Sequence, residues 1–184
     1  TSVLPWKGGL LIAAAPNILY YKDTTGDGRA DLKEILFSGF FTGNEEAQIT
    51  NLRFGIDNWI YANNTGQAGE VHFSENPGGP ALQMRGSDFR FRLDRKQYEL
   101  TTGAGQFGLA LDDWGHRFFT TNSIHIQQAV APKRYLTRNP FLPSGLKSGA
   151  VNISDHDPIM FQISETPYWR QERTDRRNKE YQEN

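Results

Sequence analysis

Asn51-Leu52-Arg53-Phe54-Gly55-Ile56-Asp57-Asn58-Trp59-Ile60-Tyr61 is matched, without a gap and 57 residues later, by Gly108-Leu109-Ala110-Leu111-Asp112-Asp113-Trp114-Gly115-His116-Arg117-Phe118. Each stretch runs from an apolar strand through an acidic turn with Asn or Gly into an aromatic strand. A weaker third copy, Ser2-Val3-Leu4-Pro5-Trp6-Lys7-Gly8-Gly9-Leu10-Leu11-Ile12, stands about 50 residues earlier. Short strands and turns repeating at this spacing are the pattern of β-propeller blades, which bury their faces only against neighbours. The expectation is an all-β chain: a β-propeller segment of about three four-stranded blades, near 2–50, 51–107 and 108–140, from a six- or seven-bladed whole. Residues 141–167 then read as a loop-rich connection and 168–184 as a charged tail or linker.

Outward from the repeat, Gly9–Ala14 and Asn17–Lys22 read as strands separated at Ala15-Pro16, since proline cannot donate to a ladder. Leu32–Phe37 is a third. Leu52–Ile56 and Trp59–Ala62 form a hairpin, and Glu70–Phe73 follows a glycine turn. Phe89–Leu93 alternates aromatic and basic residues as a half-buried strand does, and returns through Asp94-Arg95-Lys96 as Gln97–Thr101. Phe107–Leu111 and Arg117–Thr121 repeat the hairpin. Ile124–Ala131 suits either a strand or a short helix. Asn139–Ser154 reads as a Pro/Gly/Ser loop, and Tyr168–Asn184 as a solvated linker or exposed helix of mixed charge.

Composition narrows the classes of function. With 184 residues, 37% apolar and 22% charged, the chain carries enough apolar side chains for an ordinary core. A net charge of −1 supplies no field to recruit nucleic acid or an anionic membrane. No apolar run approaches the roughly 18 residues of a membrane span; the longest, Gly8 to Pro16, reads as a buried strand. The absence of cysteine excludes disulfides, thiolate metal sites and thiol catalysis. No Gly-x-Ser-x-Gly, phosphate-binding glycine loop or His-Glu-x-x-His is present. The chain begins at Thr1 rather than Met, which fits removal of an upstream segment.

One loop carries metal-ligand spacing. In Asp23-Thr24-Thr25-Gly26-Asp27-Gly28-Arg29-Ala30-Asp31-Leu32-Lys33-Glu34, carboxylates fall at positions 1, 5, 9 and 12 of a calcium loop, with glycine at 6. The candidate ligand positions are Asp23, Thr25, Asp27, Arg29 (through its carbonyl), Asp31 and Glu34. Thr25 replaces the usual Asp or Asn, and the flanks read as strands, so the expectation is a calcium-binding β-turn loop rather than a helical EF-hand. The alternative is a tight turn whose aspartates cap backbone amides.

The acidic loop, Gly43-Asn44, Leu52 to Tyr61, Gln106 to Gly115 and Arg134-Tyr135-Leu136-Thr137-Arg138-Asn139-Pro140 together resemble the dehydrogenase-like propeller domain of planctomycete and verrucomicrobial membrane-bound dehydrogenases. That group is similar to soluble quinoprotein glucose and sorbosone dehydrogenases. The resemblance covers roughly residues 8 to 140. It implies an exported, periplasmic or extracellular protein with pyrroloquinoline quinone (PQQ) and calcium, a sugar or alcohol substrate, and a cytochrome c electron acceptor. The remaining propeller blades would come from the parent chain. It also implies a histidine base just before the Leu-x-Phe-Gly-x-Asp strand, where this chain has Ala47 beside Gln48, neither of which can act as a base. The rival reading is a non-catalytic, calcium-stabilised scaffold that binds a glycan or partner protein.

Candidate catalytic residues are therefore His125 and Arg53, and candidate cofactor contacts are Arg53 and Asn122. His125 follows a repeat strand in Asn122-Ser123-Ile124-His125. Arg53 lies in an otherwise apolar strand, where an inward-facing guanidinium needs an anion. Asp57, Asp112 and Asp113 read as turn residues, and Trp59 and Trp114 as packing residues. Asp155-His156-Asp157 places three possible ligands in a row, but neighbouring side chains on an extended chain point apart.

Overall fold

Three antiparallel meanders of four strands follow one another along the chain. The first comprises β1 (Ser2–Trp6), β2 (Gly9–Ala14), β3 (Asn17–Lys22) and β4 (Leu32–Ser38). The second takes β5 (Thr50–Phe54) and β6 (Ile60–Asn63). A hairpin intervenes, β7 (Glu70–Phe73) and β8 (Leu82–Gln83), before β9 (Asp88–Arg92) and β10 (Gln97–Thr101) complete that sheet. The third holds β11 (Gly108–Leu111), β12 (Arg117–Thr120), β13 (Gln127–Ala129) and β14 (Ala150–Asn152). This computed structural model describes residues 1–143, 148–154 and 163–182. Thr1–Ser154 form one unit and Asp155–Asn184 a second. Strand is the main regular structure, and among the described residues it forms several antiparallel sheets none of which closes on itself; the all-β expectation holds at that level.

The repeat read from the sequence is a repeat of backbone. Phe54 pairs with Ile60 across one hairpin and Leu111 with Arg117 across the other, both at the 57-residue offset. In one turn Gly55 N donates to Trp59 O at 2.8 Å and Asn58 N to Gly55 O at 3.0 Å. In the other, Asp112 N donates to His116 O and Gly115 N to Asp112 O, each at 3.1 Å. The left-handed residue falls at the same place, Asn58 (φ 62°) and Gly115 (φ 86°), where Asn and Gly are the tolerated types. The aspartates themselves are displaced by two positions. Each still accepts the amide of the Trp two residues on, Asp57 from Trp59 at 3.2 Å and Asp112 from Trp114 at 3.0 Å. The first copy is weaker because its turn is shorter: Lys7 and Gly8 alone, both at positive φ, reverse the chain.

Alternation decides what each sheet presents. Along the ladders of the second sheet, Ile60, Phe91 and Tyr98 share one face with Ala62, Phe89 and Leu100. That face closes on the first sheet, where Phe37 packs against Phe73, Phe89, Phe91 and Tyr98 with ring centroids 4.8–5.6 Å apart. Leu11, Ala13, Ile18, Ile49, Leu52, Val71 and Met84 complete this buried cluster. The opposite face of the second sheet carries Arg53, Tyr61, Arg90 and Glu99 with Asp88 and Thr101, and it meets the third sheet through polar groups.

The hairpin β7–β8 leaves the second sheet. It pairs with β4, Phe37 opposite Phe73 and Ser38 opposite His72, so the first sheet has six strands. Gly39 and Gly69 permit the approach: a Cβ on Gly39 would collide with the Glu70 carbonyl. β1, β5 and β11, each the first strand of its meander and an edge of its sheet, are neighbours in that order. Leu52 N donates to Ser2 Oγ at 3.0 Å, and Asn51 Nδ2 to Gln106 O at 3.4 Å.

Among the described residues of the first unit, two sheet faces have no sheet against them. On the first sheet, Val3, Ile12, Leu19 and Ile35 line up across all four strands, with Val3 53% and Ile35 47% exposed. On the third, Ala110, Phe118 and Val151 share a face, extended by Ile126 and Ile153 through the bond from Ile153 N to Ile126 O at 3.1 Å.

Some expectations change. The fourth strand of the third sheet, β14, lies within the stretch read as loop, and the third repeat therefore extends past residue 140. The ambiguous Ile124–Ala131 stretch holds β13, followed by a short helix, α1 (Lys133–Leu136). In the second unit, α2 (Tyr168–Gln182) realises the exposed-helix alternative, with Arg170 and Arg173 beside the Trp169 ring. Among the described residues, no helix is long and apolar enough to cross a membrane.

Candidate functional site

The polar seam between the second and third sheets is where charge gathers. Asp88, fully buried at the start of β9, accepts from the amides of Asn64 (2.9 Å) and Gly105 (3.1 Å) and from Arg117 Nη1 (3.0 Å). Burial pushes its carboxyl up; the Arg117 charge and these donors pull the other way. Gly103 and Gly105 are required here, since a Cβ on either would press on this network: on Asp88 and Arg117 in one case, on Asn63 in the other.

Beside this pair lies a cavity of about 180 Å³, lined by Tyr61, Arg90, Glu99, His116, Arg117, Lys133 and Arg134, among others. Register explains the grouping: Tyr61, Arg90 and Glu99 stand opposite one another on β6, β9 and β10. Arg90 donates through Nε to Glu99 Oε1 at 2.8 Å, makes a second bond to it through Nη2, and reaches the Tyr61 hydroxyl at 3.0 Å. Its guanidinium lies over the Trp59 ring, 4.2 Å from the centroid. Tyr61 in turn donates to Asp57 Oδ2 at 2.8 Å, and burial, then this bond, push its hydroxyl up. Arg134 Nη1 lies 3.5 Å from Glu99 Oε1. Lys133 Nζ donates to Gly86 O at 3.3 Å.

The sequence-chosen residues lie elsewhere. Arg53 is exposed on β5, where alternation places it on the polar face, paired across the ladder with Tyr61. Asn122 and His125 are exposed in the β12–β13 connection, where Asn122 N donates to Gln106 Oε1 at 3.3 Å. None of the three lines the cavity. Ala47 is buried in a 3₁₀ turn, Glu45–Ala47, capped by Asn44. The expected base position holds a methyl group, and none of Arg53, Asn122 and His125 borders the cavity between the second and third sheets.

The acidic loop has oxygen chemistry suited to calcium, but its carboxylates are turned to backbone amides. Asp23 accepts from Thr25 N (3.0 Å), Gly26 N (2.6 Å) and Gly28 N (2.7 Å), and Asp31 from Thr24 N (2.6 Å) and the Thr24 hydroxyl. Asp27 accepts from Arg29 N at 2.8 Å. Glu34 stands within β4 opposite Tyr20, held there by the sheet. The Gly26 and Gly28 amides hold the Asp23 carboxyl below its ordinary value; the Thr24 hydroxyl and amide do the same for Asp31. Among the described residues no three acidic or histidine side chains are gathered as a metal site. In this geometry the amide-capped turn describes Asp23, Asp27 and Asp31. Asp155-His156-Asp157 lies outside the described residues.

Sequence reasoning missed the cavity because its lining comes from strands assigned separately to a half-buried strand pair and a hairpin. The period-2 Phe89-Arg90-Phe91-Arg92 pattern held the available signal: one face apolar, the other cationic. No curated protein and no solved structure matches the chain. A family model does, over residues 1–182, and the chain belongs to that family, described as a domain of unknown function (DUF7133).

Proposed function

We propose that the chain is a structural module of a β-propeller: three consecutive blades of an exported, quinoprotein-like dehydrogenase-type protein, serving as a non-catalytic scaffold for a glycan or partner protein. The observation that carries this reading is the side-by-side placement of β1, β5 and β11. First strands that neighbour one another in chain order are what blades arranged around a common axis require. The uncovered apolar faces of the first and third sheets support it too, since repeats bury such faces against the next repeat. The buried methyl of Ala47 at the expected base position favours a scaffold over catalysis.

Structure determination of the parent protein tests the blade assignment: further blades should cover Val3 and Ile35 at one end and Val151 and Ile153 at the other. A parent in which both faces face solvent refutes it. A PQQ titration in calcium buffer, followed by absorbance, tests the scaffold assignment, which expects no saturable change.

A second reading, a PQQ- and calcium-dependent sugar or alcohol dehydrogenase feeding a cytochrome c, is favoured by the wrap of the acidic loop, with Gly26 and Gly28 both at positive φ (82° and 84°). Saturable PQQ binding, micromolar or tighter, would replace the scaffold by this enzyme. The base would then be sought outside position 47.

A further inference from the structure

We propose that the cavity between the second and third sheets binds a small oxyanion, a phosphate or a short carboxylate. Four cationic side chains, Arg90, Arg117, Lys133 and Arg134, converge on it in a chain whose net charge is −1. Glu99 is the one carboxylate among the described lining residues, and it is shared by Arg90 and Arg134. Asp88 and Asp57 stand behind, on Arg117 and Arg90. Lys133, whose ammonium is given a carbonyl partner in Gly86, adds a charge beyond these pairs.

The second observation is independent of the charge count. Arg117 is 4% exposed, and its Nη2 is buried with no hydrogen-bond partner among the described residues. A buried guanidinium nitrogen left unpaired is costly, so such a group calls for a water or an anion. The cavity beside it has about 180 Å³, room for roughly six waters at their liquid volume, or for one phosphate-sized group with its hydration. Guanidinium forks match the paired oxygens of phosphate and carboxylate, and Lys133 and Arg134 reach the rim from one short segment.

The test is calorimetric titration of the full chain with sodium phosphate and, separately, sodium lactate, each against sodium chloride of equal ionic strength. The variant is the double substitution Lys133→Gln and Arg134→Gln, with Lys96→Gln as a surface control; neither touches the Asp88–Arg117 pair. Saturable heat with phosphate alone assigns a phosphate site, with lactate alone a carboxylate site, and with both a general oxyanion site. In each case affinity should fall about tenfold or more in the double variant, the loss expected for a charged hydrogen bond, with the ligand-free melting temperature unchanged. No saturable heat beyond the chloride control overturns the proposal, and so does binding that survives the double substitution undiminished.

Discussion

Arg117 Nη1 on β12 donates to Asp88 Oδ2 on β9 at 3.0 Å, with the two side chains 4% and 0% exposed, and this ion pair crosses from the third sheet to the second. Removing one partner strands the other charge in a buried site. Asp88→Ala should therefore cost about 3–5 kcal/mol of stability, read by urea unfolding. Asp88→Leu combined with Arg117→Met should cost less than Asp88→Ala alone. A double substitution worse than the single would mean that the pair holds the sheets together beyond its own charge balance.

The two sides of the sheet stack should respond differently to truncation. Phe37 is 1% exposed and touches four other rings, so Phe37→Ala should lose about 3–5 kcal/mol. Val151 lies on the uncovered face, 44% exposed, and Val151→Ala should stay near the surface range of about 0.5 kcal/mol. Equal losses in denaturant unfolding would contradict the assignment of faces.

The acidic turn supplies a pH test. Asp23 is held below its ordinary value of 3.8 by the Gly26 and Gly28 amides. A carboxyl with a lowered folded pKa stabilises above its unfolded value, and that contribution disappears as pH falls through the folded one. Asp23→Ala should therefore lower the melting temperature at pH 6, and the gap from wild type should close as pH falls below 3.8. The drop should be equal in calcium and in EDTA. A drop seen only in calcium would return the loop to the metal reading.

The uncovered apolar faces should make the full chain self-associate. Ile126→Lys with Ile153→Lys places two charges on the third sheet's open face, where Ile126 is 44% and Ile153 46% exposed. Sedimentation velocity should show fewer large species for the variant, with circular dichroism unchanged. A wild-type chain that sediments as a monomer at high concentration would remove these faces from consideration as interfaces.

How much of this was readable follows the range of each interaction. The hairpins Phe54–Ile60 and Leu111–Arg117 were legible because the backbone turn and its left-handed residue leave local marks, Asn58 and Gly115. The strand at Glu70–Phe73 was legible as a strand, but its partner was not: nothing local in its sequence tells it to leave Ala62 and join Phe37. β14 was hidden because three residues, Ala150–Asn152, give no periodicity to detect. The face Arg53 takes was not legible, because a single arginine among apolar residues looks the same on either; the ladder with Tyr61 decides. The cavity depends on residues from Tyr61 to Arg134, a separation that no motif spans.

The β7–β8 hairpin has a bearing on ancestry. It is encoded within the second repeat yet hydrogen-bonded to the first, so the unit that repeats in the sequence and the unit that holds together differ by one hairpin. A recombination crossover between residues 38 and 50 would deliver a first meander without its two outermost strands and a second whose hairpin has no edge to join. Crossovers after β10 break no such ladder. Exchange of modules within this lineage should thus have kept the first two meanders as an inseparable couple while the third was free to change.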